Sequence, residues 1–270
     1  MRATTTLSPS GRRALGAAMA LGLVAIYLPL AVVVVNAFNT SRTFGWPPSG
    51  FTTTWWSRAW HAEGARESLL NSVKAGLGAT AIALLLGTMA AFAVSRYRFF
   101  GRDTVSFLVL LPIALPGIVT GIALNNAFRV LGLPFGLLTI IVGHATFCIV
   151  LVYNNALARL RRMGGSLEEA STDLGAGVWQ TFRYVTFPTL RSALLAGGLL
   201  AFALSFDEII VTTFTASPGV QTLPLWIFAN LFRPNQAPVV NVVAAALIVL
   251  SVIPVWLAQR LSGDTASGRF

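Results

Sequence analysis

Residues 164–188 read GGSLEEASTDLGAGVWQTFRYVTFP, a polar and glycine-rich stretch between two long apolar runs. Ser166, with Glu169 three residues later, has the pattern of a capping box, which starts a helix. Gly175 follows where such a helix would end, because glycine tolerates the left-handed conformation of the C′ position. Pro188 suits the first turn of a further helix. The stretch therefore predicts a helix of about two turns in a loop between apolar segments.

Apolar segments make up most of the remaining chain. The sequence is 55% hydrophobic and 10% charged, whereas soluble proteins carry about 25% charged residues. A membrane helix needs about 20 mainly apolar residues to cross about 30 Å of hydrocarbon. We therefore predict an all-α integral membrane protein with six transmembrane helices, the third of which contains two prolines. The six predicted spans are Ala14–Val35, Ala75–Val94, Phe107–Leu124, Phe135–Val152, Ala193–Phe214 and Val239–Leu257.

These spans predict a single transmembrane domain, residues 14–257, between tails at residues 1–13 and 258–270. The loop between the fourth and fifth spans, residues 153–192, contains the quoted stretch. Of the 19 Lys and Arg residues, 13 lie on the side of this loop and of both termini, and 6 lie on the other side. Because positively charged loops stay in the cytoplasm, we expect the loop and both termini to be cytoplasmic.

The charge and the rare residue types exclude several other classes of protein. The net charge is +10, but the arginines cluster at the ends of apolar runs, so we expect a lipid bilayer and no nucleic acid as partner. One cysteine and two histidines make a metal site unexpected. The sole lysine, Lys74, lies outside any glycine-rich motif of the kind that cradles ATP phosphates. We therefore predict a chain that is not an enzyme, with no catalytic residues and no bound cofactor.

Two acids interrupt the fifth predicted span. A carboxylate at the centre of a span costs about 2.5–3.5 kcal/mol on insertion scales, so such acids mark a pathway or a paired site. On a continuous helix, Glu208 shares a stripe with Ser205 and Thr212, and we expect this stripe to face a substrate pathway. Asp207 would then lie on a face packed against protein. Acids on a pathway attract a cationic solute, and the alternative is that both lie near the interface and reach water.

Two further features of the spans each allow two interpretations. His144, in the fourth span, fits a hydrogen-bonded interior residue or a proton relay. Gly117 and Gly121, four residues apart, fit a close-packing face between helices or a point of flexibility in the pathway.

The loop resembles a motif of the membrane subunits of binding-protein-dependent ABC importers. That motif is Glu-Ala-Ala, three residues, Gly, nine residues, Ile, one residue and Leu-Pro. Three positions here differ, with Ser for Ala, Val for Ile and Phe for Leu. The corresponding residues, with every spacing kept, are Glu169, Ala170, Ser171, Gly175, Val185, Phe187 and Pro188.

The resemblance implies the type I ABC importer permease architecture, with a short cytoplasmic coupling helix that docks on an ATPase. It also implies a multi-pass protein of the plasma (inner) membrane of a bacterium. The implied partners are a dimer of ABC ATPases that bind ATP and Mg, a second homologous permease in a heterodimer, and an extracytoplasmic solute-binding protein. Coupling to the ATPase would run through residues 166–188. The residues implied to carry it are Glu169, Ala170, Ser171, Gly175, Trp179, Phe182 and Pro188.

Three more stretches resemble the permeases of spermidine/putrescine importers, and more closely the second of the two permeases. They are residues 111–117 (LPIALPG), 202–208 (FALSFDE) and 222–226 (TLPLW). This implies a polyamine, spermidine or putrescine, as the solute. Permeases for ferric iron, opines or phosphonates are alternatives within the class. An ion-coupled secondary transporter is an alternative from another class, which usually shows repeated halves that this sequence lacks.

Overall fold

The structure, a computed structural model, describes residues 8–43, 45–233 and 235–266, with the side chains of residues 9 and 252–266 excepted. Over these ranges the regular secondary structure is helical apart from one isolated antiparallel bridge between Asn39 and Phe51. This confirms the all-α prediction. A π-helical segment, Phe182–Thr186, joins α8 to α9. The helices are α1 (Pro9–Asn36), α2 (Thr54–His61), α3 (Glu63–Arg96), α4 (Arg102–Ala114), α5 (Gly117–Val130), α6 (Leu137–Met163), α7 (Ser166–Asp173), α8 (Val178–Thr181), α9 (Phe187–Phe206), α10 (Ile210–Thr215), α11 (Leu223–Leu231) and α12 (Ala237–Ala266).

The chain divides into two compact units. Residues 64–226 form one unit, which holds the loop and the acids singled out in the sequence. The described residues before 64 and after 226 form the other, in which α12 packs against α1 and α2. In that second unit, Trp55 is buried and donates a hydrogen bond from Nε1 to the carbonyl of Asn39, 2.9 Å away. The division of the chain into one membrane domain and two tails stays a prediction.

Fewer helices qualify as membrane spans than the six predicted. Within the described residues, α1, α3, α6 and the continuous helix Val178–Phe206 are long and apolar enough to cross a membrane. A fifth span would be the bent pair α4 and α5. The described apolar part of α12 covers only Ala237–Ser251, although its backbone stays helical to Ala266. The structure therefore supports four or five spans, and the count of six is not confirmed.

The third predicted span, Phe107–Leu124, is not one straight helix. The chain leaves α4 at Leu115, which is extended, and re-enters a helix after Pro116, so that α4 and α5 are bent by 107°. The cause is local, because a residue before proline is driven out of the helical region by the proline ring. Pro112 lies inside α4 and is accommodated there.

In the unit of residues 64–226, α6 lies against both α3 and α9. Small residues at the contacts let the backbones approach closely, as is usual between membrane helices. A Cβ on Gly87 of α3 would lie 2.9 Å from the carbonyl oxygen of Ile149 in α6. A Cβ on Gly197 of α9 would lie 3.3 Å from the Cα of Val152 in α6. This tight three-helix packing supports both the loop after α6 and the acids after α9.

Candidate functional site

The loop helix α7 begins and ends close to the residues predicted. It covers Ser166–Asp173, and Gly175 has φ +84°. The amide of Gly175 donates to the carbonyl of Thr172 at 2.9 Å, and the amide of Ala176 donates to that of Ser171 at 3.1 Å. These two bonds form a Schellman motif, the C-terminal cap that favours glycine at this position. The predicted end of the helix is thus confirmed.

The start of α7 differs from the capping box that the sequence suggests. Gly165 holds the cap position and Ser166 is already inside the helix, so no side chain caps it. The Glu169 side chain is exposed, and its Oε1 lies beside Gly165, 3.2 Å from where a Cβ would stand, without a capping hydrogen bond. Two consecutive glycines before the helix allow a backbone cap, and Gly164 there has φ +66°. The predicted pairing of Ser166 with Glu169 is therefore wrong.

Glu168, which no motif in the sequence singles out, connects the loop to the rest of the unit. Its Oε2 lies 2.8 Å from Nε of Arg96, the last residue of α3, and Arg96 Nη2 donates to Oε1 at 3.0 Å. Arg96 also donates to the carbonyl of Gly164 at 3.0 Å. The hydroxyl of Thr186, in the π-helical segment, donates to the same Glu168 Oε1 at 2.8 Å. One carboxylate therefore joins α7 to the end of α3 and to the start of α9.

The predicted coupling residues divide into exposed and packed groups. Ser171 and the buried Thr181 share a hydroxyl–hydroxyl hydrogen bond of 3.0 Å, which joins α7 to α8. Pro188 lies in the first turn of α9, as predicted. The exposed residues of the predicted set are Glu169, Ala170, Gly175, Trp179 and Pro188.

Aromatic rings connect the loop to α3. The Phe182 ring stacks on Trp179 with centroids 5.6 Å apart, and meets the Phe92 ring of α3 edge-on at 5.8 Å. Trp179 itself is 67% exposed, beside the exposed Leu174 and Val178. A mainly apolar groove of about 970 Å³ lies between α3 and the loop, and these rings form part of its lining. Phe182 thus holds the loop, while the other three side chains present exposed apolar surface.

The fifth predicted span is broken at the two acids. α9 ends at Phe206 and α10 begins at Ile210, so the assumption of a continuous helix through Ala193–Phe214 is wrong. Asp207 is exposed. Glu208 is half-buried, and its Oε1 accepts a hydrogen bond of 2.8 Å from the amide of Val211. Glu208 therefore caps the start of α10, where a carboxylate is favoured by the free N–H groups of a helix terminus.

The remaining residues of the predicted stripe lie inside the protein. Ser205 and Thr212 are buried, with 2% and 0% of their surface exposed. Both contact His144 of α6, which is fully buried: Nδ1 lies 2.8 Å from Ser205 Oγ, and Nε2 lies 2.8 Å from Thr212 Oγ1. Asp207 is thus more exposed than Glu208, whereas the stripe predicted the opposite, and which of the two faces a substrate pathway stays a prediction. Of the two interpretations of His144, the structure shows the hydrogen-bonded interior residue.

Neighbouring helices hold α10 in place. A Cβ on Gly121 of α5 would come within 2.5 Å of the Phe214 ring of α10, so Gly121 belongs to a close-packing face. Asn125 of α5 donates to the carbonyl of Phe214, and Thr139 of α6 donates to that of Thr215 at 2.7 Å. Nothing in the sequence around these residues identifies their partners, which come from distant parts of the chain.

The described residues do not bring three or more His, Cys, Asp or Glu side chains together as a metal site would require. The arrangement instead offers two features: a loop helix with exposed apolar side chains at its end, and two carboxylates at a break in a membrane helix.

Comparison with known proteins identifies the molecule that carries these features. Residues 83–266 match the family described as binding-protein-dependent transport system inner membrane component. The chain belongs to this family. It is a permease subunit of an ABC importer, and its resemblance to that class is confirmed.

Individual permeases of the family are similar over nearly the whole chain. The spermidine/putrescine transport system permease protein PotC of Escherichia coli (strain K12) is 33% identical over 90% of this chain and 91% of its own length. The putrescine transport system permease protein PotI of the same strain is 34% identical over 84% of this chain and 83% of its own. A putative 2-aminoethylphosphonate transport system permease protein, PhnV of Salmonella typhi, is 33% identical over 94% and 95%.

The fold of the permease has a counterpart among solved structures. A chain of a bacterial ABC transporter involved in the import of the acidic polysaccharide alginate superposes with a TM-score of 0.71. The match covers 97% of this chain and 99% of that one, at 21% sequence identity. This agreement supports the type I permease architecture.

Proposed function

We propose that this permease forms half of the translocation pathway for a small organic cation of the polyamine class, spermidine or putrescine. The observation that carries the proposal is the pair Asp207 and Glu208 at the break between α9 and α10. Two of the similar permeases, PotC and PotI, are named for spermidine or putrescine. The proposal thus rests on the chemistry of the break and on those relatives together.

The break suits a cation for electrostatic reasons. The last turn of α9 ends in free carbonyl groups, which carry partial negative charge at a helix C-terminus. The Asp207 carboxylate is exposed directly after it. Broken helices with unwound backbone form the solute sites of many transporters. A polyamine carries several ammonium groups on a flexible chain. Each ammonium group can interact in turn with these carbonyls and carboxylates as the chain passes.

A second candidate solute is 2-aminoethylphosphonate, which the name of the similar permease PhnV favours. This molecule carries an ammonium group but also an anionic phosphonate. Two carboxylates at the break would repel the phosphonate, whose natural site would be the N-terminus of a helix. At α10 the Val211 amide is already occupied by the side chain of Glu208, so the polyamine is the better fit.

ATP hydrolysis is assigned to separate partner chains, an ATPase dimer with bound ATP and Mg. The loop 164–188 would contact it through Leu174, Val178 and Trp179, which are exposed and apolar. A second permease subunit and an extracytoplasmic binding protein complete the proposed importer. The arginine distribution supports a cytoplasmic position for the loop and both termini. A single cysteine introduced at Leu174, in a Cys148→Ser background, should then react with an impermeant maleimide only in inverted vesicles.

The decisive experiment measures transport by the intact importer in proteoliposomes, with its co-expressed ATPase, second permease and binding protein. Radiolabelled spermidine, putrescine and 2-aminoethylphosphonate are compared as solutes. Asp207→Asn and Glu208→Gln should each lower polyamine uptake about tenfold or more, the effect of losing about 1.4 kcal/mol of attraction. Asp103→Asn, an exposed acid at the start of α4, is the control. Uptake of the phosphonate alone, or full polyamine uptake by the double Asn/Gln variant, would reject the proposal.

A further inference from the structure

His144 is a fully buried polar ring in the interior of a membrane helix. It lies in α6 among apolar side chains, with the Phe147 ring centroid 5.5 Å from its own. Burying a polar group without a hydrogen bond costs free energy, so both ring nitrogens need partners. A leucine would fill such a position more cheaply if packing were its only role.

The two nitrogens contact opposite sides of the break in the fifth predicted span. Nδ1 bonds to Ser205, in the last turn of α9, and Nε2 bonds to Thr212, in the first turn of α10, each at 2.8 Å. The residues between these partners include Asp207 and Glu208. One rigid ring therefore bridges two helices that the chain itself no longer joins with helical hydrogen bonds.

The direction of each bond follows from the hydroxyl of Thr212. This hydroxyl has one proton, which it donates to the carbonyl of Glu208 at 2.9 Å. In the tautomer that keeps this bond, Thr212 accepts from Nε2–H of His144, and Nδ1 accepts the Ser205 hydroxyl proton. The result is a directed chain of hydrogen bonds from Ser205 through His144 and Thr212 to the backbone of Glu208.

This chain controls the placement of Glu208 in particular. Its carbonyl accepts from Thr212, while its carboxylate accepts from the amide of Val211 at 2.8 Å. We propose that His144 is a positioning residue that fixes the relative orientation of α9 and α10 across the break, and so holds the two carboxylates where the solute passes. The transport consequence rests on the proposed function, whereas the bridging of the break does not.

Hydrogen exchange of the purified importer tests the bridge without any solute. His144→Leu removes both bonds, and His144→Gln keeps a donor near the position of Nε2. Leaving Ser205 and Thr212 unsatisfied should raise exchange of the amides of residues 207–213 about tenfold to a hundredfold, with a smaller rise for His144→Gln. Cys148→Ala is the matched control, since Cys148 is equally buried one turn along α6 and, within the described residues, its thiol donates to α9 at the Ala201 carbonyl.

A mutant cycle separates a bridge from ordinary packing. Thr212→Val should raise exchange like His144→Leu, the double variant should be no worse than His144→Leu, and Thr212→Ser, which keeps the hydroxyl, should restore normal exchange. At equal abundance, His144→Leu should also lower solute transported per ATP, which Cys148→Ala should not. Unchanged exchange in His144→Leu, or additive effects in the double variant, would overturn the inference. If the acid variants show that the solute is not a cation, the hydrogen-exchange result still tests the bridge.

Discussion

The carboxylate of Glu168 in the loop helix pairs with the guanidinium of Arg96 at the end of α3, with Oε2 and Nε 2.8 Å apart. About a fifth of each side chain is exposed. The pair attaches the loop to α3 beside the contact between the Phe182 and Phe92 rings. Movement of the loop is thereby linked to movement of a membrane helix, which is the mechanical requirement for a coupling element.

Glu168→Gln should weaken this link without unfolding the permease. A partly exposed pair contributes up to about 1 kcal/mol, so abundance should fall little while uptake per ATP falls several-fold. Arg96→Gln should have the same effect, and the double variant should be no worse than either single one. Glu169→Gln is the contrast, because Glu169 is exposed and should change ATPase affinity alone. Additive losses for Arg96→Gln and Glu168→Gln would show that the pair carries no coupling.

Substitutions at Gly175 distinguish backbone strain in α7 from loss of contact with the ATPase. A Cβ there meets open space, but φ is +84°, so Gly175→Ala should cost about 1–2 kcal/mol of local helix stability. Asparagine tolerates this conformation, so Gly175→Asn should keep α7 intact. If the ATPase approaches the backbone at Gly175, both variants, like Gly175→Asp, should lose ATPase in pull-down assays. Gly177→Ala, in the same loop at an ordinary φ of −71°, should retain it.

Trp179 and Phe182 should behave differently although their rings stack. Trp179 is largely exposed, so Trp179→Ala should reduce ATPase binding at least tenfold while abundance and melting temperature stay near normal. Phe182 packs between Trp179 and Phe92, so Phe182→Ala should lower the melting temperature, since truncating a packed aromatic ring costs about 3–5 kcal/mol when it is fully buried. Quantitative pull-down and thermal melting in detergent measure the two effects. Normal ATPase binding by Trp179→Ala would contradict this assignment.

Gly87 marks a close approach of α3 to the backbone of α6. A Cβ would lie 2.9 Å from the Ile149 carbonyl and 3.1 Å from the Tyr153 amide, and helix backbone cannot move aside as a side chain can. Gly87→Ala should therefore destabilise the permease by about 1–3 kcal/mol, the usual range for overpacking. Gly22→Ala in α1 adds the same methyl group into open space and should be neutral. Equal melting temperatures for the two variants would show that α3 and α6 can separate at no cost.

The sequence by itself determined the features that depend on a few consecutive residues. Gly175 ends α7 because a left-handed residue is needed there, and Pro116 interrupts the third predicted span because of the constraint it places on Leu115. The family motif likewise lies within 20 consecutive positions, Glu169 to Pro188. Composition alone was enough to predict helices in a membrane, since only helices satisfy their own backbone there.

Only the tertiary structure decided which side chains make the contacts between these elements. Glu168 and Glu169 are adjacent and chemically alike, and the docking of α7 against α3 selects Glu168 as the partner of Arg96, 72 positions away. The break after Phe206 was likewise not predicted, although two acids mark its position, and the hydroxyls on its two sides meet a histidine 61 and 68 positions away. The physical reason is that a buried polar group must find its partner wherever the packed helices bring one, and no local pattern records that distance.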